Sequence, residues 1–243
     1  MSSLVALDAV TVAFGGVKAL DDVTLHLDTG SGITGIIGPN GAGKSTCLSV
    51  IAGARRPTSG TVAVLGNRLV RTHATAVARS GVARTFQVPR PFSDMTVREN
   101  VLVARLASRA RSRRSEADKV EQLLERMGLA DIAGQNAGSL PLAARKKLEV
   151  ARAMAIEPQL VLLDEVFEGL SDKEIGELVT ILRGLDADGI HLVLVEHVLR
   201  ALRQLATSLV VFEKGSVIAY GDVDEVLSSD RVKEAYLGFG GAA

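Results

Sequence analysis

The 243-residue chain has one cysteine, Cys47, so it cannot form an internal disulfide. That excludes the disulfide-stapled scaffold class and fits a reducing compartment. It also has no excess of either charge: 28 lysines and arginines balance 28 aspartates and glutamates. Neutrality removes the global electrostatic footprint of a nucleic-acid binder or of a protein attracted to acidic membranes. No apolar run reaches the ~18 residues of a bilayer span, and no basic region followed by an apolar core opens the chain. The expectation is therefore a protein with neither a membrane span nor a secretion leader. There is no internal repeat. What is present is a 47% hydrophobic composition, enough for a substantial core in one large or two small domains.

Gly38-Pro39-Asn40-Gly41-Ala42-Gly43-Lys44-Ser45-Thr46 fits the phosphate-loop pattern of a glycine, four residues, then Gly-Lys-Ser/Thr. Its flanks agree. Ile33 to Ile37 is a short apolar run bounded by glycines, the form of a buried strand, and Ser45 to Ala52 reads as a helix closed by Gly53. In that setting the backbone N–H groups can curl around the β and γ phosphates of a nucleotide at a positively polarised helix start. Lys44 adds a point charge and Ser45 a hydroxyl ligand for Mg²⁺. Cys47, in the first turns of that helix, reads as a small buried side chain.

Before the loop, Leu4 to Leu7, Val10 to Phe14 and Val23 to Leu27 are β-rich pieces around the turn Gly15-Gly16, and the last alternates like a half-exposed antiparallel strand. After it, Pro57 to Gly60 is a turn and Thr61 to Gly66 a strand. The composition changes near Phe86, and Thr96 to Ala155 favours helix, with Val120, Leu123, Leu124 and Met127 at helical spacing. Leu160 to Glu165, Leu192 to Val195 and Leu209 to Phe212 are nearly continuous apolar runs, as expected of parallel strands buried on both faces. Lys173 to Leu185 reads as a helix between them, Lys214-Gly215 as a hairpin turn before Val217 to Tyr220, and the tail from Val223 as helix and then loop.

Asp164 and Glu165 close an apolar strand, where phosphate-loop enzymes place one carboxylate on Mg²⁺ and the next against the attacking water. Adjacent acids at a strand end are otherwise a solvated exit. Gln87 follows Arg84-Thr85-Phe86 at the junction with the helical stretch, and His197 follows the strand Leu192 to Val195. Taken alone, either is more often structural.

Taken in order, these features resemble the ATP-binding subunit of an ABC transporter, across essentially the whole chain. Gly81 to Gln87, Met95 to Ala104 and Val232 to Gly238 are similar to the branched-chain amino acid uptake subfamily, which also serves urea, amides and aromatic or alicyclic acids. The resemblance implies an α/β phosphate-loop NTPase core with a mostly parallel sheet, an N-terminal antiparallel β subdomain and an inserted α-helical subdomain. The expected division is core at 1–86 and 152–243 and helical subdomain at 87–151. It further implies that Phe14 stacks on adenine, that Gln87 senses Mg²⁺ and water, and that His197 contacts the γ-phosphate.

The family also carries Leu-Ser-Gly-Gly-Gln, or a close variant, at a helix start. Here the matching stretch is Leu140-Pro141-Leu142-Ala143-Ala144, before the well-matched Arg145 to Met154. Proline is tolerated as a helix begins, so the helix should persist. Its tip has lost a hydroxyl, an N–H donor and the closeness that glycine permits. Ser139 lies one residue early. Val166 replaces a usual proline, and Ser171-Asp172 stands where Asp-Pro or Asn-Pro is common.

Family members sandwich ATP head to tail between two subunits. Residues serving this chain's own nucleotide (Lys44, Ser45, Gln87, Asp164, Glu165 and His197) are retained, whereas those offered to the opposite site have changed. The expectation is an asymmetric heterodimer with a paralogous ATP-binding subunit. Two membrane permease subunits, an external solute-binding protein and a peripheral place on the cytoplasmic face of the inner membrane complete it; no nucleic acid is expected. The alternatives are a nucleotide-gated regulatory subunit with little turnover and a non-transport ABC ATPase. The run Arg105, Arg109, Arg111, Arg113 and Arg114 reads as a solvated face, with a membrane or partner contact as the other possibility.

Overall fold

The computed structural model describes residues 3–30, 32–70, 73–108 and 113–237. In chain order the elements are β1 (Ser3–Phe14), β2 (Val17–Asp28), β3 (Ile33–Ile37), α1 (Lys44–Ile51), β4 (Ser59–Val64), β5 (Asn67–Arg68), α2 (Ala74–Arg79) and β6 (Val82–Arg84). The helices α3 (Val97–Ser108), α4 (Arg113–Arg126) and α5 (Leu142–Met154) follow. Then come β7 (Leu160–Asp164), α6 (Asp172–Ala187), β8 (His191–Val195), α7 (Leu199–Leu205), β9 (Ser208–Glu213), β10 (Ser216–Asp222), α8 (Val223–Ser228) and α9 (Asp230–Leu237).

Two sheets result. The first has the order β2-β1-β4-β5, antiparallel throughout. The second has the order β10-β9-β3-β8-β7-β6, parallel except for β10 at its edge. Strands β3 and β7 are buried at every residue, which explains their unbroken apolar runs: both faces of the sheet are covered. In β2 burial alternates, as a sheet with one exposed face requires. The two N-terminal pieces expected as separate strands are one, β1, because register shifts let Leu7 to Val12 continue the ladder through Ala9, at φ 51°.

The helical stretch α3–α5 lies between β6 and β7 in sequence and shares a hydrophobic core with the second sheet. Arg105 corrects the solvated-face expectation. It is buried with Glu116, to which its Nε donates, while Nη2 donates to Glu157 at 2.8 Å and Nη1 to the Ala155 carbonyl at 3.1 Å. That pairing, with Lys119 adding to it, holds the Glu157 carboxyl down at about 2. The guanidinium thus joins α3 and α4 to the segment entering β7. Arg109 and Arg111 lie outside the described residues.

Ser171 caps α6, its hydroxyl facing the Glu174 N–H while the Glu174 carboxylate accepts from the Ser171 N–H at 2.7 Å. A reciprocal capping box is the local reason for serine there. Cys47 is fully buried, and burial pushes its thiol up to about 12.

Candidate nucleotide site

The parallel strands end together, and the loops leaving β3, β7 and β8 meet at that edge, where open α/β sheets bind ligands. The β3 loop reaches α1 through two glycines that no other residue could replace. A Cβ on Gly38 would meet the Phe212 carbonyl oxygen at 2.2 Å, and one on Gly43 the Ala19 carbonyl oxygen at 2.4 Å, with φ at +150° and +106°. Gly43 therefore starts α1 in the left-handed region, hard against β2.

A cavity of about 740 Å³ opens above this loop, walled by Asn40 to Thr46, Gln87, Glu165 and His197, and also by Ala19 and Glu168. Lys44 is 6% exposed, and its Nζ donates to the carbonyls of Gly38 at 2.7 Å and Pro39 at 2.9 Å. Burial lowers its pKa, while the charges of Glu165 and Asp164 oppose that fall. The ammonium donates to two neutral carbonyls, partners that an incoming phosphate can replace with stronger bonds in which both sides are ionised.

Ser45 Oγ lies 3.4 Å from Asp164 Oδ1 across the loop. The other carboxylate oxygen, Oδ2, accepts from Arg84 Nη2 at 3.0 Å, and Arg84 Nη1 donates to Ser49 Oγ on α1 at 2.9 Å. Arg84 thus fixes which oxygen of Asp164 faces the loop. Among the described residues no cluster of three or more His, Cys, Asp or Glu side chains could hold a metal unaided. The donors that do converge are a hydroxyl, a carboxylate oxygen and the nearby Gln87 amide. That sparse hard-oxygen set suits Mg²⁺ completed by phosphates and water.

Gln87 Nε2 donates to Glu165 Oε2 at 2.5 Å, and His197 Nε2 lies 3.0 Å from Glu165 Oε1. Three residues far apart in sequence thus meet on one carboxylate. Glu165 itself has φ at 51°, a left-handed conformation rare for a non-glycine residue, and its N–H donates to the Val195 carbonyl. Phe14 is not brought into the cavity. It stands 46% exposed at the end of β1, with the Arg55 guanidinium 4.7 Å from its ring centroid.

Helix α5 forms as expected, starting at Leu142 just after Pro141. Leu142 is exposed and packs near Gly169, and the Ser139 hydroxyl is spent on the Asn136 carbonyl at 2.8 Å.

The match to the family model described as ABC transporter spans residues 20–168, from β2 through Glu165 to Glu168. The chain belongs to the ABC transporter family. Similar over nearly its whole length is the high-affinity branched-chain amino acid transport ATP-binding protein LivG of Salmonella typhimurium, at 33% identity over 97% of this chain and 98% of that one. The corresponding protein BraF of Pseudomonas aeruginosa is 32% identical with the same coverage. Among solved structures, an ATP-binding cassette of an ABC transporter in its ADP conformation superposes with a TM-score of 0.89 at 28% identity, covering 98% of this chain and all of the other. As an ABC ATP-binding subunit the chain is an ATPase, and ATP is the nucleotide of its site. Among the described residues no helix is long and apolar enough to cross a membrane.

Sequence reasoning did not single out Arg84, Lys146, Glu168 or Glu196. Lys146 is buried on α5, and its Nζ donates to the carbonyls of Glu165 at 2.6 Å and Gln87 at 3.3 Å. It shares a stripe with Val150 and Ala153 at spacings of four and seven, a signal that this lysine faces inward. Glu196 is buried beside it, and burial raises its carboxyl to about 7.

Proposed function

We infer that this chain supplies the ATP-driven stroke of an importer for branched-chain amino acids or related small polar or organic-acid solutes. The observation that carries the mechanism is the Glu165 carboxylate, held on both oxygens by Gln87 and His197 at the mouth of the phosphate-loop cavity. The cargo class follows the likeness to LivG and BraF.

In this reading the backbone of Gly38 to Thr46 receives the phosphates, and Lys44 exchanges its two carbonyl partners for phosphate oxygens. Ser45, Asp164 and Gln87 would hold Mg²⁺, which would supply positive charge to offset that of the phosphates. Arg84 keeps Asp164 turned toward the metal. Glu165 orients and polarises the water for in-line attack, once Gln87 or His197 yields one of its oxygens. His197 then contacts the γ-phosphate, and Phe14, released by Arg55, packs on the adenine beyond the cavity.

The second cavity, about 550 Å³, suits a permease segment. It lies between α2, β6 and α3 and is lined by Ala78, Gly81, Arg84, Phe86, Ala104 and Ala107. Residues 1–86 and 152–243 act as the nucleotide core and 87–151 as the helical subdomain, with two permeases holding the chain at the cytoplasmic face of the membrane and a solute-binding protein outside. The changed tip, Pro141 to Ala144, favours an asymmetric pair with a paralogous ATP-binding subunit, in which this chain's own loop site turns over and the opposite site mainly binds.

The test is transport and ATP hydrolysis by the assembled complex after Glu165→Gln, beside the equivalent change in the paralogue. Loss confined to the Glu165 variant is expected. Equal loss from both would end the asymmetric reading, and no loss from Glu165→Gln would end the catalytic one.

A further inference from the structure

We propose that Lys146 is a positioning residue for ATP hydrolysis, holding the peptide of Glu165 in its left-handed conformation and tying it to the loop that carries Gln87. The proposal rests on the reading of Glu165 as the residue that activates water.

The left-handed conformation of Glu165 needs surroundings that over-determine it. Its peptide groups are pinned on both sides. The N–H donates to Val195 on β8 at 2.9 Å, and the carbonyl accepts from Lys146 Nζ at 2.6 Å. The same ammonium donates to the Gln87 carbonyl. Both partners are main-chain oxygens, one in each of the two loops whose side chains meet at the Glu165 carboxylate. A buried cation arranged this way sets geometry, because an apolar side chain of equal volume would fill the space without its desolvation cost.

The rest of α5 makes the same grip. Three residues further along, Glu149 accepts the Arg90 N–H at 2.8 Å, and Arg152 donates to the Arg90 carbonyl at 2.8 Å while lying 5.0 Å from the Phe92 ring centroid. Positions 146, 149 and 152 of a single helix therefore hold the 87–92 segment at Gln87, Arg90 and Phe92. The tip of that helix, four residues before Lys146, is about 6 Å away along the axis. Helix α5 therefore touches both the Gln87 loop and the Glu165 peptide close to its tip. Without Lys146 the Glu165 carbonyl keeps only the longer bond from the Glu168 N–H, at 3.4 Å, so the peptide is less constrained and the carboxylate loses its fixed place against Gln87 and His197.

The experiment compares Lys146→Met, Lys146→Arg and Glu165→Gln in the native membrane complex captured through a tag on the full-length chain. It measures kcat and KM for ATP, equilibrium binding of a fluorescent ATP analogue, and the thermal midpoint. Lys146→Met is expected to lower kcat ~10- to 100-fold, the scale of a misplaced catalytic group, with KM and analogue affinity within about twofold. Lys146→Arg, which restores a donor, recovers most of that rate. If Lys146→Met turns over like the wild type while Glu165→Gln is silent, the proposal is overturned and the reading of Glu165 survives. If kcat falls only together with affinity and thermal midpoint, Lys146 is structural and the proposal also fails. If Glu165→Gln still turns over, the underlying reading of Glu165 is what has failed.

Discussion

Glu196→Gln should remove a specific part of the pH dependence of folding. Glu196 leaves the end of β8, is 1% exposed, and accepts the Phe167 N–H at 2.9 Å; burial outweighs that bond and the nearby Lys146 charge, and raises its carboxyl from 4.5 to about 7. A folded-state pKa above the unfolded value means that the folded chain binds the extra proton. The stabilisation is therefore fully present below pH 4.5 and is lost as pH rises through about 7. At about 1.4 kcal/mol for each pH unit, the loss attributable to this group is about 3 kcal/mol. Glutamine keeps an acceptor for Phe167 and cannot ionise, so the variant should lack that decline. Urea unfolding of both proteins at intervals from pH 4 to pH 8 gives the two curves, and their difference isolates Glu196 from every other titrating group. Curves that stay parallel within about 0.5 kcal/mol, or a wild type that gains on the variant as pH rises, would refute the assignment.

Arg84→Gln removes the guanidinium from buried Asp164 and from Ser49, and should cost about 3 kcal/mol in urea unfolding, as uncompensated buried carboxylates do. Arg84→Lys should recover only part of this, because one ammonium cannot replace a fork that reaches both β7 and α1. Ser171→Ala dismantles the capping box of α6 and should lower stability by about 1 kcal/mol, visible as a lower thermal midpoint with nucleotide affinity unchanged.

Much of the site was legible because a phosphate loop is local chemistry. Gly38, Gly43, Lys44 and Ser45 lie within nine consecutive residues, so their spacing alone matches the phosphate-loop pattern. Asp164 and Glu165 were legible for a related reason: an apolar run ending in two acids, in a chain with a full phosphate loop, matches a buried strand presenting them at its tip. Arg84 and Lys146 were not. Neither Arg84 nor Lys146 was assigned a role from the sequence, and Arg105 was read as part of a solvated face. In each case burial depends on which surface arrives from elsewhere in the chain. Lys146 faces inward only because α5 is laid across the ends of β7 and β6.

The sequence by itself determined the phosphate loop, the strand and helix types and the α/β class, since each rests on periodicity or on residues within a few positions of one another. It also determined that α5 would form despite Pro141, because a proline that begins a helix forfeits no intrahelical bond. Only the tertiary structure decided that Gln87, Glu165 and His197 share one carboxylate, that Arg84 orients Asp164, and that Lys146 clamps the peptide of Glu165. The physical reason is the sheet, which sets β6, β7 and β8 side by side and parallel, so that the loops leaving them emerge at one edge although long stretches of chain separate them. A convergence made by sheet topology leaves no spacing in the sequence from which it could be read.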